Sequence, residues 1–118
     1  MPAEMVKAES PSTALSFKKL YDSAVDLYMN SKYLESVKTL ESIKPYQAQN
    51  PGWYYYYALN LLQLKRTAEA IDNFNLFIKS AEVKNTAKAH YYLGTLYFNN
   101  GEYERALIHF ELAQGLST

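Results

Sequence analysis

The side chains able to do chemistry are few, and their spacing argues against a reaction. The chain has two histidines, His90 and His109, and no cysteine. Without thiolates there is no disulfide, no cysteine nucleophile and no cysteine-based zinc motif. Neither histidine stands at helical spacing from the other, so neither has a chelating partner along the sequence. His90 is therefore expected to pack on a groove flank and His109 to lie on the surface. Glu102 and Glu104 form a carboxylate pair, but one placed at a helix start, where negative charge is favoured by the exposed N–H groups. The Lys and Glu residues along 32–44 read as a solvated face. There is no Gly-rich phosphate loop, nucleophile elbow or Walker lysine. A non-enzymatic protein is expected, with no catalytic residue, no cofactor and no metal. What the chain does carry is aromatic surface, with twelve tyrosines, five phenylalanines and one tryptophan. A phenol joins a large apolar ring to a hydroxyl at low entropic cost, which suits recognition rather than catalysis.

Those rings need a scaffold, and the bulk numbers allow one. A chain of 118 residues, 48% apolar and 20% charged, falls in the globular range. One domain of this length buries roughly two thirds of its unfolded surface. Twelve acids against twelve bases give no net charge, hence no long-range field for a polyanion, and no nucleic-acid partner is expected. No apolar run approaches the ~20 residues that span a bilayer, so no membrane insertion is expected. Residues 1–11 lack the apolar middle of a secretory signal and no Asn-x-Ser/Thr acceptor occurs, which points to a cytoplasmic address.

Residues 1–11 show no periodicity and read as a flexible tail, with Ser10 or Ser12 as an N-cap and Pro11 suited to a first helical turn. From residue 12 to 118 the pattern is helical. Short polar breaks at Asn30-Ser31-Lys32, Leu64-Lys65-Arg66 and Asn99-Asn100-Gly101 each divide a pair of helices. Asn50-Pro51 and Asn85-Thr86 supply caps between pairs. Six helices are predicted, near 13–30, 33–45, 51–64, 67–80, 86–99 and 103–115. The run Trp53-Tyr54-Tyr55-Tyr56-Tyr57 has strand propensity, but it flows without a turn signal into Ala58 to Leu62 and continues a helical stripe.

The pairs repeat. Tyr33, Thr67 and Tyr103 open the second helix of each pair, 34 and 36 residues apart. Ser36, Ala70 and Ala106 follow at one offset, then Leu40, Phe74 and Phe110, then Ile43, Phe77 and Ala113. In the third unit Leu93-Gly94, Tyr97, Gly101, Tyr103, Ala106, Phe110 and Ala113 resemble the tetratricopeptide signature, with His90 where that family usually has Trp. The second unit matches through Tyr54, Tyr57, Ala58, Leu61, Ala70, Phe74 and Phe77. The first matches more weakly, through Leu20, Ser23, Ala24 and Leu27. The resemblance implies an all-α, right-handed superhelical stack of three helix-turn-helix hairpins, near 17–50, 51–86 and 87–118. Ala24, Ala58 and Gly94 would face Ser36, Ala70 and Ala106 where the helices of a hairpin cross, and Gly101 would take a left-handed backbone at its turn.

The resemblance also implies that the first helix of each pair lines a concave groove for a protein or peptide partner. Carried over in register, the groove would be formed by Tyr21, Val25, Tyr28 and Met29, by Tyr55, Leu59, Leu62 and Gln63, and by Tyr91, Thr95, Phe98 and Asn99. Tyr21, Tyr55 and Tyr91 recur at one offset and are expected to form a column suited to an amphipathic helix or an extended peptide. A carboxylate clamp is not expected, since Tyr21, Val25, Leu59 and Tyr92 stand where its polar residues would be and only Lys88 remains. Leu107, Ile108 and Leu112 of the last helix form a candidate terminal interface, for a second copy or for another protein. The expected role is an adaptor. A chaperone shielding one apolar client segment, as in type III secretion, and a self-assembling structural protein are the alternatives.

Overall fold

The computed structural model describes residues 11–117, without the side chains of 11–14 and Ala48. Six helices follow one another: α1 (Pro11–Met29), α2 (Tyr33–Ser42), α3 (Gly52–Gln63), α4 (Thr67–Ser80), α5 (Ala87–Asn99) and α6 (Tyr103–Ser117). Of the expected tail, residues 1–10 lie outside the described residues, while Pro11 belongs to α1. Ser12 lies inside that helix and so does not cap it.

Each hairpin closes in the same way. Ser31, Lys65 and Gly101 have φ of 64°, 65° and 82°, so one left-handed residue ends each first helix. The next residue then reaches back five positions, Lys32 to Leu27 O at 2.8 Å, Arg66 to Leu61 O at 2.9 Å and Glu102 to Tyr97 O at 2.9 Å. These bonds satisfy carbonyls that a helix end leaves open. The left-handed geometry expected of Gly101 is present, and it recurs at two positions without a glycine.

Between hairpins, the ends follow local chemistry. Helix α2 stops at Ser42, short of the expected residue 45, and a 3₁₀ segment runs from Lys44 to Gln49. Pro45 has no N–H and disfavours an α conformation at Lys44, which explains the early end. Asn50 is extended (φ −150°, ψ 109°) and its Oδ1 accepts the Gly52 N–H at 2.9 Å, while Pro51 already has helical angles. Thr86 precedes α5, yet its hydroxyl donates back to Val83 O at 2.7 Å instead of capping the helix.

The hairpins stack into an elongated body of 52 × 27 × 23 Å. Two buried clusters flank α3. Phe17, Ala24, Leu40, Ile43 and Trp53 fill the seam between the first two hairpins. Leu59, Leu61, Phe74, Phe77, Leu93 and Leu96 fill the seam between the second and third. Tyr54, Tyr56 and Tyr57 pack against both clusters, which makes α3 the shared wall. Neither seam belongs to a single hairpin, so the core exists only in the stack.

Small residues mark the crossings. Ala24, Ser36, Ala58 and Ala70 are fully buried and Ala106 nearly so. Ser36 Oγ donates to Ala24 O at 2.7 Å, which fixes that crossing directly. At the third crossing a Cβ on Gly94 would stand 2.6 Å from Phe110 Cδ1, so the Phe110 ring occupies the space a side chain would need. Buried Asn60 donates to Ser36 Oγ at 2.8 Å and to Tyr56 O at 2.9 Å, tying the second hairpin to the first. Trp53 Nε1 donates to Leu40 O at 2.8 Å, satisfying a carbonyl near the end of α2.

Candidate partner-binding cleft

The first helices α1, α3 and α5 share one face, and on it lies a cleft of about 710 Å³. Tyr28 and Met29 come from the last turn of α1, Tyr55, Tyr56 and Leu59 from α3, and Lys88, Tyr91 and Tyr92 from α5. Phe110, Ala113, Gln114 and Ser117 of α6 close its far side. The rings form a continuous belt. Tyr28 meets Tyr56 at 5.9 Å between centroids, Tyr56 meets Tyr55 at 5.3 Å, Tyr55 meets Tyr92 at 6.4 Å, and Tyr92 meets Tyr91 at 5.9 Å. Tyr91 completes it against Phe110 at 6.0 Å.

The belt is held from behind. Tyr92 stacks on buried Phe74 at 5.4 Å and 9°, and Tyr55 leans on Phe77 at 5.2 Å. Burial, and then the neighbouring phenols, push the Tyr55 and Tyr28 hydroxyls above the usual tyrosine range. They therefore stay protonated and can both donate and accept. Within the described residues, none of the hydroxyls of Tyr28, Tyr55, Tyr56, Tyr91 and Tyr92 bonds to another protein group. Lys88 is the one charged side chain among the described residues lining the cleft.

The sequence-derived groove set divides. Tyr28, Met29, Tyr55, Leu59 and Tyr91 line the cleft. Tyr21 does not. It stacks on Phe17 at 6.0 Å, meets Tyr56 edge-on at 6.1 Å, and borders a separate depression beside Asn50. A Cβ on Gly52 would collide with the Tyr21 hydroxyl, so this tyrosine seals the seam between α1 and α3. Burial, then Tyr56 and Asp22, push its hydroxyl up to about 12. Val25 is half-buried in α1, and Leu62 packs against the second cluster. Thr95 donates to Tyr91 O at 3.1 Å. Gln63, Phe98 and Asn99 are exposed at helix ends, with the Phe98 ring against Tyr103 at 5.3 Å. The three tyrosines of equal offset thus make no single column. Hairpins that rotate as they stack turn equal offsets into an oblique line.

Tyr56, Phe110, Ala113, Gln114 and Ser117 are not among the expected groove residues. Helix α6 runs to Ser117, past the expected residue 115. The spacing Phe110, Ala113, Gln114, Ser117, which puts one face of α6 on the cleft, is the available signal. Leu107, Ile108 and Leu112 are 57%, 56% and 45% exposed on the outer side of α6. The histidines depart from expectation. His90 is buried, His109 is half-buried, and their Nδ1 atoms face each other at 3.0 Å. Among the described residues no group of three or more His, Asp or Glu side chains is arranged to hold a metal.

Three stacked helical hairpins with an aromatic inner face define a helical-repeat solenoid. Residues 87–116 match the tetratricopeptide repeat family. The chain is similar to solved tetratricopeptide structures. A point mutant of MamA superposes with a TM-score of 0.74 at 25% identity over 84% of this chain and 71% of that one. A chain of the CopN-Scc3 complex gives 0.78 at 16% identity, over 96% of this chain and 64% of that one. The C-terminal part of a tetratricopeptide protein from Cytophaga hutchinsonii gives 0.71 at 16% identity, over 79% and 36%. The chain thus spans less than two thirds of the length of two of these three. No curated protein matches the sequence. The third hairpin thus matches the tetratricopeptide repeat family, whose members are in general non-enzymatic modules for protein–protein interaction, and the whole chain shares the fold of solved tetratricopeptide structures. No helix among the described residues is long and apolar enough to cross a membrane.

Proposed function

We propose that this protein is an adaptor that takes a peptide segment or amphipathic helix of a partner into the cleft between α1, α3, α5 and α6. One observation carries the reading: the belt from Tyr28 to Phe110 combines apolar rings with hydroxyls that no group among the described residues uses. Such a surface offers spaced apolar pockets and directional hydrogen bonds while ordering little that is not ordered already. With Lys88 as the one cation among its described lining residues, the cleft favours a segment anchored by apolar side chains over one anchored by several carboxylates.

Tyr91 is the residue on which to test this. It is 57% exposed, so Tyr91→Ala removes an anchor without opening the core. A library of amphipathic peptides displayed on phage and selected on the wild-type protein supplies the probe. The selected peptides should bind Tyr91→Ala at least tenfold more weakly at unchanged helicity, a loss of ~1.4 kcal/mol. Equal affinity for both proteins would remove the cleft from consideration. The same cleft could shelter an aggregation-prone segment of a single client. In that case co-expression would make one otherwise insoluble protein soluble, whereas an adaptor leaves its partners' solubility unchanged.

A further inference from the structure

The cleft lining does not include the two histidines, and they meet each other within the third hairpin. His90 of α5 and His109 of α6 bring their Nδ1 atoms to 3.0 Å, with ring centroids 5.2 Å apart and planes inclined by 27°. The Tyr97 ring stacks on His109 at 5.5 Å, and Arg105 sits 5.1 Å over the centre of that tyrosine. Glu102 holds Arg105 through an oxygen at 3.1 Å. Among the described residues neither imidazole is paired with a carboxylate, and the charged group acting on His109 is the Arg105 guanidinium.

The proton count of such a pair is restrictive. Two neutral rings make the contact when one carries its hydrogen on Nδ1 and the other presents an Nδ1 lone pair. A first added proton goes to Nε2 of the donor ring and leaves that bond in place. A second must go to the accepting Nδ1, and two N–H groups then point at each other across 3.0 Å with no anion between them. We propose that the His90–His109 contact is an acid-operated latch. It holds α5 to α6 while at most one imidazole is protonated and releases the third hairpin when both are.

The surroundings set the sign. Burial lowers the affinity of both rings for protons below their ordinary value of 6.5, and for His109 the neighbouring His90 and Arg105 act in the same direction. The unfolded chain then binds more protons than the folded one, so stability rises with pH across this range. The contribution is complete above about pH 6.5 and is lost as pH falls through the lower folded-state values. Tyr91 follows His90 and Phe110 follows His109 in sequence, and both line the cleft, so release would also disturb that surface. This last consequence rests on the cleft reading above, and the latch itself does not.

The test needs no partner. Imidazole resonances of the full chain are followed by NMR from pH 8 to 4.5, alongside thermal melts. The latch requires two coupled titration steps, both below the ordinary histidine range, with amide signals of α5 and α6 moving in the second. It also requires Tm to fall by about 5 °C or more between pH 7.5 and pH 5. In the double variant His90→Gln/His109→Gln this fall should shrink to less than half. Independent titrations near 6.5, or an equal fall in wild type and variant, would overturn the proposal. Should the double variant not fold, the wild-type titration decides alone. Peptide binding by the cleft is measured at pH 7.5, where the latch is closed, so the failure of either reading leaves the other standing.

Discussion

Lys65 sits in a left-handed backbone conformation with its side chain exposed, at the position that Gly101 fills in the third hairpin. An L-residue with a Cβ is held there at a cost of about 1–2 kcal/mol, and the turn's hydrogen bonds use backbone groups alone. Lys65→Gly should therefore raise stability by about 0.5–1 kcal/mol after the added freedom of the unfolded chain is subtracted. A urea midpoint that falls would show that the turn is not strained. At this scale the sequence is legible where one residue dictates geometry, as at Gly101 and at Asn50 before Pro51. It is silent on contacts made across the fold. His90 and His109 are 19 positions apart on different helices, and their meeting depends on how α5 and α6 are rotated about their axes. Tyr21 illustrates the same limit, since nothing local distinguishes a phenol that seals a seam from one that lines a cleft.

Helix α3 holds the elements together. Its Trp53 is buried, stacks on Tyr57 at 4.6 Å, and bonds to Leu40 O on the preceding hairpin. Trp53→Ala would open a large void and remove one of that carbonyl's two donors, the Ile43 N–H at 3.1 Å remaining, at a cost of about 3–5 kcal/mol. Far-UV circular dichroism during urea unfolding measures it, and a cost under about 1 kcal/mol would mean that the first hairpin does not depend on this seam. All six helices are legible from apolar spacing, because a stripe at every third or fourth residue admits no other element of that length. The misjudged ends have local causes. Pro45 ends α2 early, Thr86 turns its hydroxyl away from α5, and α6 persists to Ser117 because no Pro or second polar break stops it. The run from Trp53 to Tyr57 is helical despite its strand propensity, and packing on both sides of α3 accounts for that.

The whole molecule has two unlike ends. On α1 the positions corresponding to buried Trp53 and Asn60 of α3 are Lys19 and Asp26, both exposed, so this end presents charge to water. On α6, Leu107 corresponds to buried Val37 and to half-buried Ile71, yet Leu107 itself is exposed. Leu107, Ile108 and Leu112 contribute little to the fold as it stands. Changing the three together to Lys should shift stability by no more than about 1.5 kcal/mol in total, measured by thermal melting. A larger loss would mean that this face is covered in solution. The sequence foretells the stacking and the aromatic inner face, but not the oblique course of the cleft, which arises from the rotation between successive hairpins. A register read along one dimension does not contain that rotation.

The placement of Trp53 has an optical consequence. With Tyr57 stacked on it and Tyr54 edge-on at 5.6 Å, light absorbed by these phenols passes to the indole before it can be emitted. Excitation in the phenol absorption band should thus yield mainly tryptophan fluorescence from the seam between the first two hairpins. Separation of that seam would leave these rings together on α3 but expose the buried indole to water, so a red shift of its emission would report the parting of the first junction.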